Sequence, residues 1–323
     1  MKKIPLVAVV GPTASGKTAI GIALAKKYGG EIVSADSMQV YTGMDIATAK
    51  PTQQEIQGIP HHMMGFLDPK EPYSVALYAD GARRAIEEIH GRGRLPILVG
   101  GTGLYISTLL NNIQLPEESG DSALRQSLLK RLLEEGPDKL LGELSSFDPE
   151  SALRLSREKN GKRIVRAIEI YRTTGKTMTS LLESSRKTPS PYQDVRIGLK
   201  CRDRDNLYQR INERVGRMLE DGLLAEAEAF LSSETGQTAK MAIGYKELKP
   251  YFDGQCTLLE ASEKLKQETR RYAKRQLTWF LRDDKIHWID TDTVTAGSEV
   301  VSVACRIIED SKILNNLECG ENG

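Results

Sequence analysis

One eight-residue stretch, GPTASGKT at residues 11–18, constrains this chain more than any other part of it. It has the phosphate-loop pattern of a glycine, four further residues and then Gly-Lys-Ser/Thr. In such a loop backbone N–H groups close around phosphate oxygens, the lysine supplies a mobile cation, and the hydroxyl can ligate a phosphate-bound magnesium ion. The sequence therefore predicts a diphosphate or polyphosphate ligand. The residues expected to hold it are Gly11, Pro12, Thr13, Ala14, Ser15, Gly16, Lys17 and Thr18.

The residues on either side of this loop favour a bound phosphate over a glycine-rich turn that binds nothing. The β-branched run Ile4–Val10 enters the loop. A helical pattern with Ile20, Ala23 and Leu24 on its inner face leaves it and stops at Gly29-Gly30. A simple turn has no need of a lysine and a hydroxyl at the point where the helix dipole is positive.

Further apolar runs predict the other strands of a parallel sheet. They are EIVSA at 31–35, LPILV at 95–99, DVRIGLK at 194–200 and KIHWI at 285–289. The first completes a β-α-β unit with the phosphate loop. The resulting fold class is α/β, a P-loop NTPase-like parallel sheet with flanking helices.

Helical periodicity organises much of the remaining chain. Between residues 73 and 90 it predicts a helix whose buried positions are Leu77, Ala82, Ala85, Ile86 and Ile89. Residues 114–190 contain no strand-like run, and helical segments dominate there. We interpret them as a mostly α-helical insertion into a P-loop core domain formed by residues 1–113 and 191–323.

Two polar features are expected beside the phosphate loop. The carboxyl ends of parallel strands share one edge of a sheet, so Asp36, after the second strand, should emerge there. Residues 36–52 have no clear period and indicate a long surface loop at that edge. The GGT sequence ending at Thr102 again offers N–H groups and a hydroxyl. No acidic residue ends the strand at 95–99, where many nucleotide hydrolases hold magnesium, so nucleotide hydrolysis is not the natural expectation.

Two helical segments carry clusters of cations. KRIVRAIEIYRTTGK at 162–176 has apolar positions for a core, Ile164, Val165, Ile168 and Ile170, and cations for the outside, Lys162, Arg163, Arg166 and Arg172. A later helix interleaves aromatic residues with basic ones, which is typical of RNA-binding surfaces. Its aromatic and basic residues are Tyr272, Trp279, Phe280, Lys264, Lys266, Arg270, Arg271, Lys274, Arg275 and Arg282. Either cluster also fits an ordinary solvated helix face.

Composition excludes several classes of function. With 39% hydrophobic and 28% charged residues and no run of 18 apolar ones, the chain reads as a soluble globular protein, which we expect in the cytoplasm. The cysteines Cys201, Cys256, Cys305 and Cys319 are far apart and complete no ligand pattern, so we expect reduced thiols and no structural zinc. Because the net charge is only +1, affinity for nucleic acid has to come from local basic surfaces.

Together, these motifs resemble those of the tRNA dimethylallyltransferases, also called tRNA isopentenylpyrophosphate transferases. Seven segments occur in that family's order: GPTASGKT at 11–18, ADSMQVYTGMDIATAKPT at 35–52, PHHMMGFLDPKEPYSVALY at 60–78, LPILVGGTGLY at 95–105, KRIVRAIEIYRTTGKT at 162–177, AIGYKEL at 242–248 and RRYAKRQLTWF at 270–280. The resemblance implies transfer of a dimethylallyl group from dimethylallyl diphosphate to the N6 amine of a tRNA adenosine 3′ of the anticodon. The adenine would be flipped out of its stack into a channel, and diphosphate would be released.

The resemblance also implies roles for individual residues. Asp36 would accept a proton from the attacking amine, and Thr102 would lie near both the diphosphate and the acceptor. Lys17 and Arg163 would neutralise the leaving group, and Thr18 would help to hold Mg²⁺. The residues expected to contact tRNA are Asp36, Ser37, Met38, Gln39, Thr102, Arg125, Lys162, Arg163, Ile164, Val165, Arg166, Lys240, Gly244, Tyr245, Arg271 and Arg275. The partners would be the tRNA anticodon stem-loop and dimethylallyl diphosphate, with no membrane, and the protein would be a monomer.

Two other functions fit part of the pattern. A small-molecule or nucleotide kinase also joins a phosphate loop to an acid after the second strand and to a basic lid. A nucleotide-switched RNA-binding module would have the loop without the chemistry. Against the second function, the chain has no Asn-Lys-x-Asp sequence for reading guanine, and Asp36 and Thr102 are predicted at the same sheet edge.

Overall fold

A computed structural model describes residues 3–114, 122–293 and 297–316 of the protein. The chain divides into two compact units. The first, which we call the sheet unit, contains Met1–Tyr73, Tyr78–Ile106 and Pro191–Gly323. The second, the helical unit, contains Ser74–Leu77 and Ser107–Ser190.

The sheet unit is built on six strands, all paired in parallel, in the order β3-β2-β4-β1-β5-β6. They are β1 (Ile4–Val10), β2 (Glu31–Ala35), β3 (His61–His62), β4 (Pro96–Gly100), β5 (Tyr192–Lys200) and β6 (Ile286–Asp290). The α/β fold class with a parallel sheet is confirmed. The sequence missed β3, because two residues are too few to reveal an alternating pattern.

The described residues also form fourteen α-helices. They are α1 (Lys17–Tyr28), α2 (Gln53–Ile56), α3 (Val75–Gly91), α4 (Gly103–Leu110), α5 (Ser122–Glu135), α6 (Pro137–Ser145), α7 (Pro149–Glu158), α8 (Gly161–Thr174), α9 (Met178–Lys187), α10 (Arg204–Glu220), α11 (Leu223–Ser232), α12 (Tyr245–Phe252), α13 (Leu258–Phe280) and α14 (Gly297–Asp310). Two short 3₁₀ turns, Ala239–Met241 and Ile313–Asn316, complete the set.

Helix α1 packs on the sheet with a face slightly different from the predicted one. Ile20 and Leu24 are buried as expected, but Ala23 is only partly buried. The reason is the close approach at Gly21, where an added Cβ would lie 2.6 Å from a methyl carbon of Val99. This contact turns Gly21 toward the sheet and Ala23 away from it. Gly29 ends the helix in the left-handed conformation, as predicted.

Helix α3 buries the predicted positions with one exception. Ala82, Ala85, Ile86 and Ile89 are at most 8% exposed, whereas Leu77 is 51% exposed. Tyr78, which is fully buried, occupies the position four residues before Ala82 that we had given to Leu77. The predicted stripe was therefore wrong by one residue at its first turn.

The segment after β2 is not the simple surface loop that its polar sequence indicates. Val40, Tyr41 and Met44 are fully buried in a second core that includes Tyr245 and Leu265. Helices from the other end of the chain cover these side chains. Because the residues that bury this segment are distant in sequence, no periodicity within residues 36–52 predicts its burial.

The described residues of the helical unit contain no strand, and its core is formed by α5 to α8. Ile164, Val165, Ile168 and Ile170 on α8 are at most 3% exposed, as their spacing predicts. Asp148 caps α7 by accepting the backbone N–H of Ser151. Helix α8 therefore follows the binary pattern of its sequence, whereas Leu133 of α5 and Leu153 of α7 are apolar side chains that stay exposed.

Candidate active site

A cavity of about 370 Å³ opens where β1, β2 and β4 reach their carboxyl ends. These three strands are neighbours in the sheet, so the segments that follow them meet at one edge. Part of the wall comes from the predicted site residues Thr13, Lys17, Thr18, Asp36, Ser37, Met38, Gln39, Gly244 and Arg275. Thr102 does not line the cavity but contacts Ser37, which does.

The phosphate loop has a backbone that requires small residues. Gly11 has φ +147°, and an added Cβ there would lie 2.3 Å from the Leu199 carbonyl oxygen of β5. Ala14 and Gly16 adopt left-handed conformations with φ of 61° and 87°. The side chain of Ser15 is buried, and its hydroxyl has no hydrogen-bond partner among the described residues. Of the loop side chains, those of Thr13, Lys17 and Thr18 line the cavity.

Lys17 begins α1 and is held in an unfavourable electrostatic position. Its Nζ donates a hydrogen bond to the carbonyl oxygen of Pro12 at 2.5 Å. Burial and the nearby cation of Arg214 lower the pKa of Lys17, Asp36 opposes both effects, and the resulting pKa is about 7. Arg214 also lines the cavity and is buried enough for its own pKa to be lowered. Two crowded cations in a cavity are what a diphosphate ligand needs.

Asp36 lies on the cavity wall directly after β2, as predicted. Its Oδ1 accepts the backbone N–H of Met38 at 2.9 Å, which fixes the carboxylate plane. No residue in the described ranges is hydrogen-bonded to its Oδ2. The Asp36 charge raises the pKa of Lys17, Arg214 and Tyr272, so the carboxylate is within electrostatic range of all three groups.

Thr102 meets the Asp36 segment, but its glycine-rich neighbourhood serves another purpose than we expected. The N–H of Ser37 donates to Thr102 Oγ1 at 3.0 Å. The Thr102 N–H is already used by the carbonyl oxygen of Ala35 at 3.1 Å, so it is not free for a ligand. An added Cβ at Gly101 would lie 2.2 Å from the Gln276 amide, and one at Gly103 would lie 2.3 Å from the Trp279 ring. These glycines therefore make room for α13.

Gln39 lines the cavity, but its amide is already hydrogen-bonded to protein. Its Nε2 donates to the carbonyl oxygens of Thr48 and Ala49, both at 3.2 Å, and its Oε1 accepts from Ser34 Oγ at 3.1 Å. Residues 47–49 form another part of the wall. The contacts make Gln39 a support for that wall.

The wall formed by residues 47–49 has a second support just before it in the chain, which sequence reasoning missed. Glu226 on α11 accepts the backbone N–H groups of Asp45, Ile46 and Ala47 at 2.7–2.9 Å. It also accepts the hydroxyl of Tyr245 at 3.0 Å. Tyr245 is 1% exposed and stacks on a neighbouring phenylalanine, so its side chain belongs to the core and does not present itself to RNA.

The basic helix α13 contributes Tyr272, Arg275 and Gln276 to the cavity wall. Its outer cations are partly compensated, since Arg271 contacts Glu268 at 2.6 Å and Lys264 contacts the same carboxylate at 3.2 Å. Phe280 is 2% exposed. The interpretation of Phe280 as an aromatic available to RNA was therefore wrong, because the apolar face of the amphipathic helix includes it. Lys240, on the turn Ala239–Met241, is exposed.

The predicted RNA-contacting residues of the helical unit are a mixture of surface cations and core side chains. Arg163 contacts Glu158 at 2.5 Å, and Arg166 and Arg125 contact the buried Glu169 at 3.1 Å and 3.9 Å. Lys162 is exposed. Ile164 and Val165 are at most 2% exposed within the core of the unit, so their side chains are not available to a ligand.

Sequence reasoning missed two polar residues of the cavity wall, Arg214 and Gln276. Both lie on amphipathic helices far along the chain, where one more polar residue gives no local signal. Their importance arises from packing across more than 190 residues of sequence, as the hydrogen bond between Thr13 and Gln276 illustrates. The one available signal was its spacing, because Gln276 falls on the same face of α13 as the core positions Ala273 and Phe280, and a buried amide needs hydrogen-bond partners.

Within the described ranges, no three His, Cys, Asp or Glu side chains are grouped to hold a metal ion. Cys201, Cys256 and Cys305 are free thiols, and Cys319 lies outside the described residues. No helix in the described part of the chain is both long and apolar enough to cross a membrane.

Comparison with known proteins decides the family. An IPP transferase family model matches residues 39–283, and an isopentenyl transferase model matches residues 4–67. The tRNA dimethylallyltransferase of Bacillus subtilis is 48% identical over 289 residues, 89% of this chain and 91% of that one. This chain belongs to the IPP transferase family.

Other members of the IPP transferase family extend the match over nearly the whole chain. The tRNA dimethylallyltransferase of Halalkalibacterium halodurans is 45% identical, covering 93% of this chain and 96% of that one. The crystal structure of a full-length tRNA isopentenylpyrophosphate transferase from Bacillus halodurans matches with a TM-score of 0.70 and 43% identity over 97% of this chain and 100% of that one. A eukaryotic dimethylallyltransferase acting on tRNA matches with a TM-score of 0.80 and 30% identity over 99% and 85% of the two chains.

These findings confirm the resemblance drawn from the seven sequence motifs. This IPP transferase is an enzyme of the transferase class, and its relatives are named for prenyl transfer rather than for phosphoryl transfer. The kinase interpretation of the phosphate loop is therefore disfavoured.

Proposed function

We propose that this IPP transferase moves the dimethylallyl group of dimethylallyl diphosphate to the N6 amine of an adenosine 3′ of the anticodon in tRNA, releasing diphosphate. The observation that carries the proposal is that one cavity joins Lys17 and Thr18 of the phosphate loop to Asp36. A phosphate cradle and a carboxylate are the two devices that this reaction needs. The relatives' names, tRNA dimethylallyltransferase among them, supply the substrate class.

The donor's diphosphate fits the cationic end of the cavity. Burial and the charge of Arg214 lower the pKa of Lys17, and burial lowers the pKa of Arg214, so an anion bound beside both cations favours their charged forms. As the allylic C–O bond breaks, negative charge accumulates on the departing oxygens, and fixed cations stabilise that charge most in the transition state. Lys17 and Arg214 are therefore proposed to hold the leaving group. The role of Arg163 in the same task stays a prediction.

A magnesium ion is compatible with this donor site. The Thr18 hydroxyl lines the cavity one residue from Lys17, and Mg²⁺ is typically held by few protein ligands together with water and substrate phosphates. Thr18 is the residue that would ligate it, with the diphosphate oxygens as the main partners. Bound there, the ion would supply further charge neutralisation to the leaving group.

The acceptor side of the reaction is assigned to Asp36 and its neighbours. An aromatic amine that attacks an allylic carbon must lose a proton, and Asp36 Oδ2 has no hydrogen bond to a described residue that would occupy it. The backbone bond from Met38 and the contact between Ser37 and Thr102 hold this carboxylate in place. Apolar side chains on the same wall, including Met38, Met64 and Leu223, give the adenine and the dimethylallyl group a dry environment.

The tRNA is proposed to approach along the cations near the cavity mouth. Arg275 and Met241 line the cavity, Met241 is 62% exposed, and Arg271 and Lys240 are exposed on the same two segments of the chain. Phosphate contacts from such cations would position the anticodon stem-loop, and the flipped adenine would enter the cavity. The cations of α8 in the helical unit are proposed as further phosphate contacts. We place the enzyme in the cytoplasm, as a monomer.

Nucleoside mass spectrometry tests the proposal directly. Unmodified tRNA is incubated with the protein, Mg²⁺ and dimethylallyl diphosphate, digested and analysed for adenosine that has gained one dimethylallyl group. A tRNA in which the adenosine 3′ of the anticodon is replaced by guanosine is the matched control and should gain no mass. Absence of the product with the first tRNA, together with phosphate transfer from ATP to a small molecule, would replace this function by that of a kinase.

A further inference from the structure

Gln276 is a buried amide that joins two loops of the cavity to α13. It is 6% exposed, and a glutamine is seldom this buried unless its polar atoms are hydrogen-bonded. Its Oε1 accepts the backbone N–H of Thr13 at 2.8 Å, and its Nε2 donates to the carbonyl oxygen of Gly101 at 3.0 Å. One side chain therefore bonds the phosphate loop with one atom and the loop after β4 with the other.

The packing around this amide leaves little freedom. A Cβ added to Gly101 would lie 2.2 Å from Gln276 Nε2 and 3.4 Å from the carbonyl oxygen of Gly11. The phosphate loop, the Gly101 backbone and the amide are thus in mutual contact. A change in the position of Gln276 has to move one of the two loops.

The two loops belong to opposite sides of the proposed reaction. Thr13 is part of the loop proposed to hold the diphosphate, whereas Gly101 precedes Thr102. The Thr102 hydroxyl in turn accepts the N–H of Ser37, the neighbour of Asp36. The separation of these loops therefore sets the distance between the leaving group and the proton acceptor, and a misplacement of about 1 Å can cost about 10²-fold in rate.

We propose that Gln276 is a positioning residue that fixes the separation of the donor and acceptor loops through the Thr13 amide and the Gly101 carbonyl. The inference rests on the proposed function, because it assigns the two loops to the two substrates. It differs from a ligand role, in which Gln276 would bond the donor or the adenine. It differs also from a merely structural role, in which the amide would contribute to stability alone.

Single-turnover transfer to tRNA separates these roles. Gln276→Met has nearly the same shape but no hydrogen bonds, and we expect its rate to fall about 10- to 100-fold. Its dissociation constants for dimethylallyl diphosphate and for tRNA should stay within about threefold of wild type, because no substrate contact is lost. Thr278→Ala is the matched control, since Thr278 is exposed on the same helix and its hydroxyl bonds only the Lys274 carbonyl. The control should keep the wild-type rate.

Gln276→Glu adds a readout that stability alone would not move. A protonated carboxyl can accept from Thr13 and donate to Gly101 as the amide does, whereas an ionised carboxylate faces the Gly101 carbonyl without a proton to donate. The rate of Gln276→Glu relative to wild type, measured well below the melting temperature of both, should therefore rise as the pH falls. Burial favours the protonated form and brings this change toward neutral pH.

A double-mutant cycle tests the link to Gly101. Gly101→Ala should slow transfer in the wild-type background, because its Cβ displaces the amide. In the Gln276→Ala background the displaced atoms are absent, so the additional loss should largely disappear. Equal losses in both backgrounds would mean that Gly101 acts by another route and would overturn the proposed link.

Other outcomes would also overturn the inference. If Gln276→Met has a larger dissociation constant for either substrate but a normal single-turnover rate, Gln276 is a ligand of that substrate. A lower melting temperature with a normal rate and a pH-independent Gln276→Glu ratio would make it structural. If the wild-type enzyme is active and Gln276→Met is equally active, the positioning role of Gln276 is refuted but the proposed function is not. If the wild-type enzyme is inactive, both the proposed function and this inference are refuted.

Discussion

The position of Lys17 predicts that donor binding takes up a proton. The fall of its pKa from 10.5 to about 7 corresponds to about 5 kcal/mol of penalty on the charged form, an upper value because the side chain also faces the cavity. A diphosphate beside Lys17 favours the charged form and raises its pKa again. With a free-state pKa of about 7, binding should take up about 0.5 proton at pH 7 and about 0.9 at pH 8.

Isothermal titration calorimetry in buffers of different ionisation enthalpy measures this uptake. The terminal phosphate has a second pKa of about 6, so at pH 8 the donor itself contributes little. The dissociation constant of dimethylallyl diphosphate should rise toward about tenfold per pH unit between pH 7.5 and 9. Lys17→Arg is the matched control, because an arginine guanidinium is already charged in the free protein, so this variant should take up no proton at residue 17 on donor binding. Tight binding without proton uptake by the wild type at pH 8 would refute the reasoning.

The same pKa has an opposite consequence for the free protein. Between about pH 7 and 10.5 the unfolded chain binds a proton at Lys17 that the folded chain does not, so the free energy of unfolding rises with pH through this window. Below pH 7 the charged, buried lysine destabilises the fold. Lys17→Met should therefore raise the melting temperature of the ligand-free protein at pH 6 while weakening donor binding. A lowered melting temperature would contradict this electrostatic account.

Three further predictions follow from other contacts. Glu226→Gln places an NH₂ group against backbone N–H donors, so it should cost about 1–3 kcal/mol of stability in thermal melts and slow transfer in rate assays. Glu228 is exposed on the same helix, and Glu228→Gln should change neither the stability nor the rate. Arg271→Gln should lower the slope of log affinity for tRNA against log salt concentration by about 1 in filter binding. Arg306 on α14 does not line the cavity, so Arg306→Gln should leave that slope unchanged. Equal slopes for wild type and Arg271→Gln would reject α13 as an RNA surface. Asp148→Asn should destabilise the protein by about 1–3 kcal/mol near neutral pH, because the carboxylate accepts hydrogen bonds from Ser151 and Thr179. Burial raises the pKa of Asp148 but those bonds lower it more, so their contribution to stability is present above pH 4 and lost in acid. An unchanged melting temperature at pH 7 would contradict this prediction.

The part of the site that local rules control was predictable from the sequence. The phosphate loop announces itself by its spacing, and the parallel-sheet rule brought Asp36 and Thr102 to the same edge as Lys17. The hydrogen bond of 3.0 Å between the N–H of Ser37 and Thr102 Oγ1 is the direct expression of that rule. The five predicted strands were placed within two residues of their observed bounds, because buried parallel strands are continuous apolar runs.

What the sequence did not predict depends on packing between distant segments. Gln276 and Arg214 reach the cavity from helices more than 190 residues after the phosphate loop. Gln276 lies within the segment RRYAKRQLTWF, but no local pattern marks either residue as part of the cavity wall. The burial of Tyr41 arises in the same way, from helices that follow much later. The GGT sequence was expected to offer N–H groups to a ligand, but the N–H of Thr102 is bonded to the carbonyl oxygen of Ala35, and Gly101 makes room for α13, as does Gly103. Such close approaches become visible only when both partners have been placed.

The central claim is that Asp36 takes the amine proton during dimethylallyl transfer, and the single-turnover rate of Asp36→Asn tests it most directly. Asparagine keeps the shape and the bond from the Met38 N–H but accepts no proton, so the rate should fall by about 10² to 10⁴. Affinity for donor and tRNA, the melting temperature and the magnesium dependence should change little. A rate near that of wild type, or a loss that added magnesium restores, would contradict the account.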